Sequence, residues 1–114
     1  MTDAHNRIDL PDFPVLIIEY DGSVGALDDI MYWTGDVDQW FWSSADAYIV
    51  DLQGRRFDQV AERDNSGRPL SVPEWSFTRK MTDRELRQLT QRDFPQVSGD
   101  FREIVRSIAK IEAS

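Results

Sequence analysis

The strongest constraint on the fold is a change of hydrophobic period at Thr82. Before it, the apolar residues form short β-branched and aromatic runs separated by turn residues. After it, they recur at helical spacing to the end of the chain. Strands first and helices last is the order of an α+β domain, in which terminal helices cover a mostly antiparallel sheet.

The helical part is the more explicit. Thr82 followed by Glu85 is a capping box, in which each side chain satisfies a backbone donor at the helix start. Met81 and Leu86 stand where a hydrophobic staple would close the same turn. Leu86 and Leu89 give that helix a narrow apolar stripe until Phe94-Pro95 ends it. Ser98 is the expected cap of a second helix, with Phe101, Ile104, Val105, Ile108 and Ile111 on one face.

Four strands are expected ahead of these helices, over residues 15–20, 47–52, 55–60 and 74–79. The middle two flank Gln53-Gly54 and read as a hairpin. In the last, Trp75 and Phe77 share one face at period two. After the first strand, Ser23 is a candidate cap for a short helix. Val24, Leu27, Ile30 and Met31 follow at helical spacing and Gly35 would end it, although Gly25 and Asp28-Asp29 weaken the pattern. Residues 1–13 read as a polar arm, and residues 14–114 as one domain, since 114 residues suit a single core.

The formal net charge is −8, and it is unevenly spread. Residues 19–51 carry Glu19, Asp21, Asp28, Asp29, Asp36, Asp38, Asp46 and Asp51 and no basic residue. The same stretch holds Tyr20, Tyr32, Trp33, Trp40, Phe41, Trp42 and Tyr48. Like charges in one patch repel, carboxylates steer a basic partner, and Trp anchors interfaces. The expected binding residues are therefore Trp33, Trp40 and Trp42 as anchors, with Asp28, Asp29, Asp36 and Asp38 as steering charges. The competing reading has the aromatics filling the core and the acids on solvated turns.

Catalytic sets are sparse. There is no Cys, and the sole His5 lies in the polar arm, so no nucleophile–base pair is expected. Asp21-Gly22-Ser23-Val24-Gly25 matches neither a dinucleotide fingerprint nor a Walker loop. The Asp residues offer oxygen ligands for Ca²⁺ or Mg²⁺, but no EF-hand spacing, so neither a metal nor another cofactor is expected. Glu19, at the end of an apolar strand, is the carboxylate most exposed to a shifted pKa. Arg79, Lys80, Arg84, Arg87, Arg92, Arg102, Arg106 and Lys110 give the last third a basic surplus, yet the total charge opposes phosphate, and nucleic acid is not an expected partner.

No apolar run approaches the roughly 20 residues that span a bilayer, and no leader is evident at the start, so no membrane association is expected. The absence of Cys points to a reducing cytoplasm, and the preponderance of Arg over Lys to a bacterial source. These features suggest a non-enzymatic, acidic protein-binding domain. Its specific form would be an inhibitor or immunity protein that blocks the cationic groove of a nuclease toxin. An enzyme or ligand-binding domain using the carboxylates, with or without a divalent ion, is the alternative. A homodimer, with the acidic segment of one copy against the arginine-bearing helices of another, is a third.

Overall fold

The architecture starts from β1, Val15–Ile18, in which all four side chains are buried. A strand buried on successive residues must be covered on both faces of its sheet. The computed structural model, which describes residues 10–29, 33 and 45–113, shows both coverings. β1 lies between β2, Val24–Leu27, and β3, Tyr48–Val50; β4, Arg55–Val60, and β5, Glu74–Lys80, complete the sheet. The order is β2-β1-β3-β4-β5, with every neighbouring pair antiparallel. The α+β expectation therefore holds, with five strands where four were expected.

The extra strand is β2, which replaces the short helix expected after Ser23. Asp21 Oδ1 accepts hydrogen bonds from Ser23 N (2.9 Å) and from Ser23 Oγ (2.7 Å), so the hydroxyl is engaged in a turn and caps nothing. Gly22, at φ 85°, supplies the left-handed residue of that turn. The chain reverses at once, pairing Ile18 with Val24 and Val15 with Leu27. Val24 and Leu27 thus bury on opposite faces of a strand, although their spacing also fits one face of a helix. Ile30, Met31 and Gly35, the rest of that expected helix, lie outside the described residues.

The β3–β4 hairpin forms as expected, with Ile49 opposite Phe57, though its connection spans residues 51–54. Gly54 sits at φ 77°. A Cβ there would stand 3.1 Å from Leu86 Cδ1, so the position needs glycine for conformation and for room. Gly54 O also accepts from Met81 N at 2.9 Å, which holds the start of the helical part against the hairpin. Trp75 and Phe77 share a face of β5, opposite Gln59 and Phe57, as their spacing requires. Beyond them Thr78 is an extra residue, because Arg56 pairs with Arg79 while Phe57 pairs with Phe77.

α1, Asp83–Gln91, has the complete capping box of Thr82 and Glu85, and Met81 and Leu86 are both buried in one cluster. α2 runs over Phe101–Ala113. Its first turn is closed by Asp100, whose Oδ1 accepts from Glu103 N at 2.9 Å, and not by Ser98. Asp100 stands three residues before that amide, the reach a capping side chain needs. Ile104, Val105 and Ile108 are buried as expected, whereas Ile111 is 45% exposed.

Two apolar layers result. Leu16, Ile18, Val24 and Val50 meet Met81 and Leu86 at the start of the helical part, and Ile104, Val105 and Ile108 of α2. On the other face Val15, Ile17, Leu27, Ile49 and Phe57 are covered by Trp33, with Phe13, Val72 and Trp75 around it. Each such side chain contributes about 1.5–3 kcal/mol when fully buried. None of the helices searched among the described residues is long and apolar enough to cross a membrane.

Candidate functional site: an aromatic groove with an acidic mouth

The face covered by Trp33 also holds a concavity. It has a volume of about 720 Å³ and lies between residues 10–13, the side chains of Asp29 and Trp33, and residues 72–75. Leu10, Phe13, Val72 and the two indoles of Trp33 and Trp75 supply apolar walls, while Asp29 and Glu74 supply carboxylates. Apolar lining with a few polar groups is the composition of a binding site.

The back wall is set by Trp33. Its ring is fully buried, and its Nε1–H donates to Pro73 O at 3.1 Å. That bond fixes the chain just ahead of β5. Trp75, the second residue of β5, lies with its ring centroid 4.9 Å from that of Trp33, tilted by 47°. Unlike Trp33, Trp75 has a buried Nε1–H with no hydrogen-bond partner among the described residues. Buried donors are nearly always satisfied, so this indole is a point of unmet hydrogen-bonding capacity beside the groove.

The N-terminal wall is held by a buried carboxylate. Asp51 is 0% exposed. Its Oδ1 accepts from Gln53 N at 3.0 Å and Arg55 N at 2.9 Å. Its Oδ2 accepts from Arg55 Nε at 2.9 Å and, across the chain, from Asp12 N at 3.0 Å. Arg55 completes the ion pair at 2.7 Å and gives a further hydrogen bond to Leu10 O at 2.9 Å. Leu52 N donates to Asp12 O, and Gln53 Nε2 to the Asp12 carboxylate. Residues 10–13, the last part of the expected arm, are therefore bound to the β3–β4 hairpin and line the groove.

The expected acidic surface is thus divided. Asp51 lies inside as a structural charge. Asp21 is held in its turn, where the Ser23 backbone N–H and then its hydroxyl keep the carboxyl below the usual range. Glu19 is half-buried, and burial, followed by the nearby charge of Asp21, raises its pKa. Asp28 and Asp29 are both exposed in the bend that follows β2, yet they border different surfaces. Asp28 shares a shallow depression with Arg106 and Lys110 of α2, whereas Asp29 lines the groove. Trp33, expected as a surface anchor, is a core residue that shapes the groove from behind. Trp40, Trp42, Asp36 and Asp38 lie outside the described residues.

Sequence reasoning missed Trp75, Glu74, Phe13 and Leu10 as site residues. Trp75 carried a signal, being an aromatic on the same strand face as Phe77. The other three had none; Leu10 and Phe13 are brought to this face by hydrogen bonds from the arm to the β3–β4 hairpin, such as Asp12 to Asp51, 39 residues apart.

The opposite face of β3 to β5 bears a second polar group. The Arg56 guanidinium stacks 3.8 Å from the Tyr48 ring centre and pairs with Asp58 at 2.9 Å, and Thr78 Oγ1 donates to Asp58. Burial pushes the Asp58 carboxyl up, but Arg56 and Thr78 outweigh it, leaving the pKa lowered. Burial raises the Tyr48 phenol. These groups satisfy one another across the sheet face. Among the described residues no three of His, Cys, Asp or Glu assemble as a metal cluster. No protein-family model matches the chain, and no curated protein or solved structure shows significant similarity to it.

Proposed function

We propose that this chain is a small binding domain, not an enzyme, that receives an apolar segment of a basic protein in the aromatic groove. The observation that carries this reading is the pairing of an apolar concavity of about 720 Å³ with Asp29 and Glu74 on its lining. A partner segment would bury an aliphatic or aromatic side chain against Phe13, Val72 and Trp75. A Lys or Arg beside it would meet the carboxylates. Inhibition of a cationic toxin such as a nuclease, within a bacterial cytoplasm, is the specific form of this function that the −8 net charge and the lack of Cys favour.

The test is a titration with short peptides that alternate Leu with Lys, against matched peptides that alternate Leu with Glu, read by tryptophan fluorescence. Saturable binding of the basic series alone is expected. Asp29→Lys should weaken it roughly tenfold, the loss of one favourable charge pair at a desolvated rim. Equal binding of both series, or indifference to Asp29→Lys, refutes the reading.

A further inference from the structure

The sheet ends at β5, and this outer strand is built to accept one particular neighbour. It is seven residues long, and all except half-buried Trp75 are exposed. Phe77 is 40% exposed even though its ring packs edge-on against Phe57 at 5.8 Å. Among the described residues no strand pairs with the outer edge of β5, and an edge of this length presents backbone donors and acceptors to an added strand. Its side chains decide which strand can join. Glu74 stands at one end, and Arg79 and Lys80 at the other. A parallel copy would set like charges together, whereas an antiparallel copy sets the acid of each strand against the bases of the other.

Pleating fixes the register further. Directly opposed residues must lie on the same face, so the two-fold axis of such a pair has to pass through a residue. The regular run ends at the Thr78 bulge, which makes Ser76 the centre. Pairing about Ser76 puts Trp75 of each copy opposite Phe77 of the other, covering the exposed part of both Phe77 rings. On the other face Glu74 falls opposite Thr78, with Arg79 next to it. The excess of acid that would drive copies apart lies in residues 19–51; β4 and β5 carry Arg55, Arg56, Arg79 and Lys80 against Asp58 and Glu74.

We propose that β5 is a homodimerisation edge, joining two copies as antiparallel strands about a two-fold axis at Ser76. A two-fold pair uses the edge of each copy once, so the assembly closes at two. The bulge and the terminal charges then exclude strands of other sequence while admitting this one.

Sedimentation velocity from low micromolar to high concentration tests the proposal. A reversible species of twice the 13.2 kDa chain mass is expected, weakening as salt rises. Ser76→Lys, an exposed change that sets two ammonium groups face to face at the axis, should raise the dissociation constant roughly tenfold or more. An unchanged thermal transition at low concentration would show that the variant folds. The chain has no Cys, so Ser76→Cys provides a positional probe. Opposed residues in an antiparallel pair lie about 4.5–5.5 Å apart, within disulfide reach. Ser76→Cys should therefore cross-link under mild oxidation much faster than Ser66→Cys, whose residue lies in an exposed turn. A monomer at every concentration, or equal cross-linking of the two variants, overturns it. Ser76 does not line the groove, so peptide binding should survive Ser76→Lys, and the two readings fail separately.

Discussion

Replacing Asp51 by Asn changes one atom of the side chain and should cost more stability than any exposed substitution in the chain. The fully buried carboxylate accepts three backbone N–H groups, from Asp12, Gln53 and Arg55, as well as the Arg55 guanidinium. An amide would turn an NH₂ toward donors on one side and remove the counter-charge of Arg55, whose side chain is only 15% exposed. Removing one partner of a buried, hydrogen-bonded pair costs about 3–5 kcal/mol. Against a total stability of about 5–15 kcal/mol, that is a large fraction. At about 4 °C per kcal/mol for a domain of this size, the midpoint of thermal unfolding should fall by roughly 12–20 °C. Urea unfolding followed by tryptophan fluorescence measures the cost directly. Arg55→Ala should cost less, about 1.5–3 kcal/mol, because the carboxylate keeps its three backbone donors. The double variant Asp51→Asn/Arg55→Ala should then be less destabilised than the sum of the two single changes, with a coupling of about 1–3 kcal/mol. A cost for Asp51→Asn below about 1 kcal/mol, or strict additivity, would refute the view that this carboxylate organises the hairpin and the N-terminal wall of the groove.

Two further outcomes follow from the geometry around α1. Glu85 is held to a pKa of about 2, first by the Arg79 side chain and then by the Thr82 backbone N–H. Its folded value lies below the ordinary value of 4.5, so its contribution is present above that value and is lost as pH falls from there toward about 2. Carboxyl titration by NMR should find the low midpoint, and Glu85→Gln should flatten the acid limb of the stability profile; a midpoint near the ordinary value would contradict the capping geometry. Gly54→Ala should destabilise by about 1–2 kcal/mol plus the contact with Leu86, whereas Gly67→Ala, also at positive φ but with no atom within 4 Å, should show only the conformational cost. Equal losses in urea unfolding would remove the packing argument at Gly54.

What could be read before the fold was known was local. The capping box at Thr82 and Glu85, the staple of Met81 and Leu86, and the hairpin around Gly54 involve residues within a few positions of one another, so their chemistry is written in order along the chain. The stripe of Ile104, Val105 and Ile108 likewise needs only helical period, and the run Val15-Leu16-Ile17-Ile18 only the demand of a strand buried on both faces. These are enough to determine an α+β domain.

Tertiary structure decided the remainder, and in each case because one residue had two locally acceptable uses. Ser23 could cap a helix or close a turn with Asp21, and pairing with β1 selected the turn. Asp51 could belong to an acidic surface or be buried, and the arrival of Asp12 and Arg55 made burial affordable. Asp28 and Asp29 are neighbours in sequence but part company across the sheet, one beside α2 and one at the groove. The groove itself joins residues 10–13, Trp33 and residues 72–75, which no periodicity connects. Its existence rests on hydrogen bonds spanning about 40 residues, Asp12 to Asp51 and Trp33 to Pro73, and contacts at that range are chosen by the whole folded core.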